Sequence, residues 1–120
     1  MKRFCHFIAL IALSSPAHAD SFSFAVAGRS ITSLEGLRAL DKLPDPSALH
    51  PIQEEFVKAQ AMQCGYCVSG PIMYGYAFVR DNANSTRAEI EQALKGVMCR
   101  CCAHTRMIDA IQSYAQEKTR

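Results

Sequence analysis

Two tight pairs of cysteines constrain this chain more than any other feature: Cys64-x-x-Cys67 and Cys99-x-Cys101, with 31 residues between the pairs. Two short-range pairs on separate loops are how four thiolates reach one metal centre. A disulfide framework prefers no such spacing, and a Cys99–Cys101 bridge would close a strained ring. Four thiolates suit structural zinc or an iron–sulfur cluster. Zinc ribbons usually repeat C-x-x-C on both sides within short hairpins. Here the second pair is C-x-C and the flanks read as helical, so the spacing leans towards iron–sulfur. Cys5 and Cys102 complete the six cysteines of the chain.

The apolar periodicity predicts four helices around these pairs. The first runs from about Leu49 to Ala61, with Pro51 in its first turn and Ile52, Phe56 and Ala59 on one face. The second runs from about Ser69 to Arg80; Ser69 is its expected cap, and Ile72, Tyr76 and Val79 share a face. Thr86-Arg87-Ala88-Glu89 has the form of a capping box and opens a third helix, which Gly96 is expected to end. The fourth starts near His104 or Thr105 and buries Met107, Ile108, Ile111, Tyr114 and Ala115. The expected fold is all-α: two helix–loop–helix units in a four-helix bundle with the cysteine loops at one end. Each loop would then lie beside a helix N-terminus, whose partial positive charge suits an anionic cluster. Arg100 and Arg106 could add to that charge, although Arg106 alone reads as solvated surface. Residues 22–34 read as one or two short strands or an extended lead-in. Residues 41–48, with two prolines and two aspartates, read as a loop.

Length and charge exclude other classes. With 120 residues there is room for one domain. The net charge of +2 comes entirely from Lys2 and Arg3, since eleven basic residues meet eleven acidic ones from residue 20 on. No basic stripe marks a nucleic-acid surface. The longest apolar run, Phe4 to Leu13, is ten residues and too short to span a bilayer. That run lies between a basic start and Ala17-His18-Ala19, which has the layout of a secretory signal. The alternative is a remodelled N-terminus that packs on the domain or stays loose. A true signal would imply periplasmic, oxidising surroundings and would remove Cys5. A cluster site fits a cytoplasmic chain better.

The stretch Leu49-His50-Pro51-Ile52-Gln53-Glu54, with Gln63-Cys64-Gly65-Tyr66-Cys67 and Cys99-Arg100-Cys101, resembles the iron–sulfur subunit of molybdenum hydroxylases. This is the xanthine dehydrogenase and aldehyde oxidase family, and the likeness is nearest to small subunits of the isoquinoline 1-oxidoreductase and nicotinate dehydrogenase kind. Thr32-Ser33-Leu34-Glu35-Gly36-Leu37 is similar to the family's linker, and the resemblance covers about residues 25–116. It implies one [2Fe-2S] cluster ligated by Cys64, Cys67, Cys99 and Cys101. It also implies a molybdopterin on a separate large subunit, with Gln63 and Cys101 close to the pterin. Electrons would pass from that subunit to the cluster and on to an external acceptor such as a cytochrome. The chain would be an oxidoreductase only as an electron-transfer subunit, with no catalysis of its own. The substrate, an N-heterocycle or an aldehyde, would belong to the large subunit.

On this reading residues 1–20 are signal-like or irregular, residues 21–48 an extended linker, and residues 49–120 the [2Fe-2S]-binding helical domain. Family members normally carry a plant-type ferredoxin domain ahead of the linker, with four more cysteines and a second cluster. Only 20-odd residues precede the linker-like stretch here, so that domain and its cluster are expected to be missing. After the last ligand position many members have Thr-Gly-Tyr, whereas this chain has Cys102-Ala103-His104-Thr105-Arg106. Cys102 is a bystander or an alternative ligand. Tyr66, Tyr74 and Tyr76 read as packing residues, His50 as a helix start, and His104 as a helix-capping or surface residue. The rivals are a structural zinc-binding interaction module, an exported disulfide-bonded helical protein, and a non-functional remnant.

Overall fold

Four segments of the sequence bury an apolar stripe as helices, and a single turn that buries Leu37 adds a fifth. The computed structural model describes residues 27–45 and 47–120. Its helices are α1 (Leu37–Leu40), α2 (Pro51–Lys58), α3 (Ser69–Asp81), α4 (Arg87–Ala93) and α5 (His104–Lys118). No strand occurs among the described residues, so the all-α class holds. All five helices belong to the unit Ser33–Arg120. The signal-like segment and the start of the expected strand region lie outside the described residues. Residues 27–34 are turn and coil. No described helix is long and apolar enough to cross a membrane.

α5 is the central helix. It packs on α2, α3 and α4, while α3 also touches α2 and α4. Its Met107, Ile108, Ile111, Tyr114 and Ala115 meet Ile52 and Phe56 of α2, Ile72, Tyr76 and Val79 of α3, and Ile90 of α4 in one core. Burying each of the larger side chains stabilises the fold by roughly 1.5–3 kcal/mol. α3 comes so close to α5 that a Cβ on Gly75 would stand 2.6 Å from Ile111 Cγ1. Arg87 at the start of α4 is bridged to Asp109 of α5.

Local chemistry sets where the helices start and stop. Thr86 and Glu89 form the expected capping box: Glu89 Oε2 accepts from the Thr86 N–H at 2.7 Å, and Thr86 Oγ1 accepts from the Glu89 N–H at 3.4 Å. α2 opens on a second, less obvious box. Gln53 Oε1 accepts from the His50 N–H at 2.8 Å, while His50 Nδ1 accepts from the Ile52 N–H at 3.3 Å. The other ring nitrogen of His50, Nε2, donates to Asp41 Oδ2 at 2.9 Å. Tyr76 Oη donates to Asp41 Oδ1 at 2.8 Å. His50 is thus fully buried with both ring nitrogens satisfied, edge-on to Tyr76.

Four local expectations need correction. Leu37–Leu40 form a helical turn inside the supposedly extended linker, because Leu37 is fully buried and its turn is closed by Leu40 N–H to Gly36 O at 3.3 Å. Ser69 does not cap α3; Val68 occupies that position without a side-chain bond. α2 stops at Lys58 and α4 at Ala93, so Gly96 lies in a turn beyond the helix end rather than at it. Of the three tyrosines read as packing residues, Tyr66 and Tyr74 are exposed and Tyr76 is buried.

Candidate metal centre

The first cysteine loop begins where α2 is made to end. Gln60 takes a left-handed conformation, φ +49°. Its N–H bonds to Val57 O at 3.0 Å and the Ala61 N–H bonds to Phe56 O at 2.9 Å. This is the Schellman pattern with glutamine where glycine is usual, and the fully buried pair Ala61 and Phe56 supplies its apolar contact. The chain then runs through Gln63 and Cys64 to Gly65. Gly65 has φ +77°, which a residue with a Cβ adopts only under strain. Val68 N–H closes the turn on Gly65 O at 3.2 Å and delivers Cys67 just before α3.

The second loop follows α4. Val97 N–H bonds to Leu94 O at 2.9 Å, and His104 Nε2 donates to Val97 O at 2.9 Å, bracing the loop against the start of α5. Cys102 N–H bonds to Cys99 O at 3.4 Å, with Cys102 in a left-handed conformation, φ +56°. One bond joins the two loops, and a second ties α5 to the start of the first. Gln63 Nε2 donates to Cys101 O at 3.4 Å, and Arg106 Nη1 donates to Gln60 O at 3.4 Å. Arg106 is therefore a latch between α5 and the first loop, not simply a solvated charge.

These constraints bring Cys64, Cys67 and Cys99 to the wall of one hollow of about 500 Å³, shared with Tyr66, Val97, Met98, Arg100 and His104. The sulfurs stand in two cross-loop pairs, Cys64 with Cys101 and Cys67 with Cys99. All four are free thiols; Cys64 is exposed and the other three are half-buried. Cys67 and Cys99 pack against the core.

Backbone N–H groups of other residues act on Cys64, Cys99 and Cys101, and Cys67 feels only its own. The Tyr66 N–H, then the Cys101 thiol and the Arg100 charge, hold the Cys64 thiol below its ordinary pKa against the effect of burial. The Ala103 N–H, with those of Cys101 and Cys102, does the same for Cys99. Cys67 is pushed up, first by burial and then by the Cys99 thiol, with its own N–H opposing. At Cys101 the Cys64 N–H pulls down, but the Cys64 thiol and burial outweigh it and raise the value.

This donor set fits an iron–sulfur group. Cys64, Cys99 and Cys101 have backbone N–H groups of neighbouring or facing residues acting on them, of the kind that stabilise bound thiolates. Two cross-loop pairs suit a two-iron centre, in which each iron takes two protein ligands. Cys102 is exposed, and only its backbone N–H, not its thiol, is among the groups acting on the four sulfurs. Gln63 is exposed beside Cys64. The helix-side braces at Gln60, Arg106 and His104 were not evident from the sequence, because each acts on a carbonyl that no motif marks.

A family model described as "[2Fe-2S] binding domain" matches residues 33–112. The isoquinoline 1-oxidoreductase subunit alpha of Brevundimonas diminuta is 38% identical over 92 residues, covering 77% of this chain and 56% of that protein. The xanthine dehydrogenase of Dictyostelium discoideum is 42% identical over 93 residues, which is 78% of this chain but 6% of the enzyme. The crystal structure of quinoline 2-oxidoreductase from Pseudomonas putida 86 superposes with a TM-score of 0.56 at 28% identity, over 64% of this chain and 49% of that one. The chain thus spans about half the length of the small-subunit relative and a small fraction of the dehydrogenase. With the match running from the linker through both cysteine loops into α5, the chain belongs to the [2Fe-2S] binding domain family.

Proposed function

We propose that this chain is the electron-transfer part of a molybdopterin-dependent hydroxylase, with Cys64, Cys67, Cys99 and Cys101 holding one [2Fe-2S] cluster. The observation that carries the reading is that Cys64, Cys67 and Cys99 from two separate loops line one hollow, with the Cys101 thiol acting on Cys64 and the Cys99 thiol on Cys67. When bound, the cluster supplies a one-electron couple. The residues of this chain hold it. α3 and α5 begin two or three residues beyond Cys67 and Cys101 and present their positive ends to an anionic group. Phe56, Ala61 and the rest of the core fix the loops from behind.

The partner in this reading is a large molybdopterin-binding subunit that docks on the cysteine end. Tyr66 and Met98, one from each loop, support that choice: they are 92% and 89% exposed beside the hollow. The Gln63 amide has one N–H on Cys101 O and keeps a second N–H and an oxygen free to meet a pterin edge. Substrate, an N-heterocycle or an aldehyde, is oxidised on the partner, and electrons leave through this chain to an external acceptor such as a cytochrome. Residues 49–120 are the cluster domain and residues 21–48 its lead-in. The chain works in the cytoplasm, or in the periplasm if residues 1–19 are removed as a signal.

The test is anaerobic reconstitution of the full chain with iron and sulfide. A brown protein with a one-electron EPR signal on reduction is expected, and Cys67→Ala should abolish both colour and signal. A colourless protein that retains one zinc would overturn the reading in favour of a structural module.

A further inference from the structure

We propose that Arg100 sets the redox poise of the cluster by holding a permanent positive charge at the wall of the cysteine hollow. The inference rests on the four-cysteine reading above. Among the described residues lining the hollow, Arg100 is the only one that is always charged. It sits between two of the ligand positions, Cys99 and Cys101, and lines the same hollow as Cys64. No carboxylate among the described residues pairs with it.

The surrounding sequence leaves that charge unopposed. The chain has eleven acidic residues, yet none lies between Glu55 and Asp81 or between Glu91 and Asp109. Both cysteine loops, and the starts of the helices that follow them, fall inside these acid-free stretches. Of the other basic groups nearby, Arg106 is turned to Gln60 O and His104 Nε2 to Val97 O.

Reduction adds one electron, and so one negative charge, to a centre that four thiolates already make anionic. No bond breaks and no proton need move. A cation at the wall favours the more negative form by Coulomb attraction, weakened by solvent because Arg100 is exposed. Arg100 therefore raises the potential, and it acts through its charge rather than as a ligand.

The experiment is a dithionite titration of the reconstituted full chain, followed by visible absorbance and EPR against mediators of known potential. Arg100→Gln should lower the reduced-to-oxidised ratio at a fixed potential about threefold, which is roughly 30 mV for a one-electron couple. Arg100→Lys should keep most of the wild-type potential. Arg120→Gln removes the same charge at the far end of α5, roughly 20 Å away by helix rise, and should change nothing. Equal potentials for wild type and Arg100→Gln, each with a full cluster, would overturn this inference and leave the four-cysteine reading standing. A wild-type chain that takes up no cluster would overturn both. If Arg100→Gln loses iron, Arg100→Met is read instead. Loss in both neutral variants also overturns the inference, because the arginine would then be building the loop rather than tuning it.

Discussion

The side-chain amide of Gln63 donates to the carbonyl oxygen of Cys101 at 3.4 Å and so ties the first cysteine loop to the second. The bond spans two segments that the sequence separates by 38 positions. A neutral, exposed hydrogen bond contributes about 1 kcal/mol or less to global stability. Its larger effect should be on how long the two loops stay together. Gln63→Ala should leave the melting temperature within a few degrees of wild type and speed release of iron to a chelator several-fold. An unchanged release rate would show that the loops are held by other contacts.

A buried polar knot beside α2 makes the fold sensitive to acid. Burial disfavours the charge on Asp41, but the hydrogen bonds from His50 and Tyr76, with the Lys118 charge, outweigh it and hold the carboxyl below its usual range. A depressed carboxylate contributes stability that is complete above its unfolded pKa, about 3.9, and is lost as pH falls through the folded value. The melting temperature should therefore be flat above about pH 5 and fall below pH 4. Asp41 is partly exposed, so its share is on the order of 1 kcal/mol. Asp41→Asn should reduce the acid slope, and an identical slope would remove Asp41 from the account. At the other extreme, burial pushes the Tyr114 phenol up to about 12. Its raised value makes stability decline again as pH rises from about 10 to 12.

At Gly75, α3 leaves no room for a Cβ against Ile111 of α5. Gly75→Ala would gain about 1 kcal/mol of helix propensity, but its Cβ meets the branched side chain of fully buried Ile111. Overpacking of this kind costs about 1–3 kcal/mol, so a net loss of roughly 1–2 kcal/mol is expected in denaturant unfolding. A more stable Gly75→Ala would mean that Ile111 repacks freely.

Cys102 carries left-handed backbone strain at an exposed position. Holding a residue other than glycine there costs roughly 1–2 kcal/mol, partly offset by the greater freedom of glycine in the unfolded chain. Cys102→Gly should therefore be neutral or up to about 1 kcal/mol stabilising, with full iron content. Loss of iron from this variant would make Cys102 a ligand in place of one of the four.

These positions also mark what the sequence could reveal. The two cysteine pairs, the Thr86 capping box and the apolar face of α5 are written in contiguous residues, so spacing alone exposes them. Gln60 was not legible: the Schellman end it makes is usually signalled by glycine, and here tertiary burial of Ala61 against Phe56 supplies the drive instead. The His50–Asp41 bond joins residues nine apart across a proline-containing loop, and no periodicity encodes that return. Leu37 was hidden because a single helical turn is too short for an apolar repeat to declare itself.

The central claim is that two cross-loop thiol pairs hold a two-iron group. Iron, acid-labile sulfide and zinc counted per chain in protein purified anaerobically from its own host test it most directly. About two irons, two sulfides and no stoichiometric zinc per chain are predicted. One zinc with no sulfide, or four oxidised thiols with no metal, would contradict it.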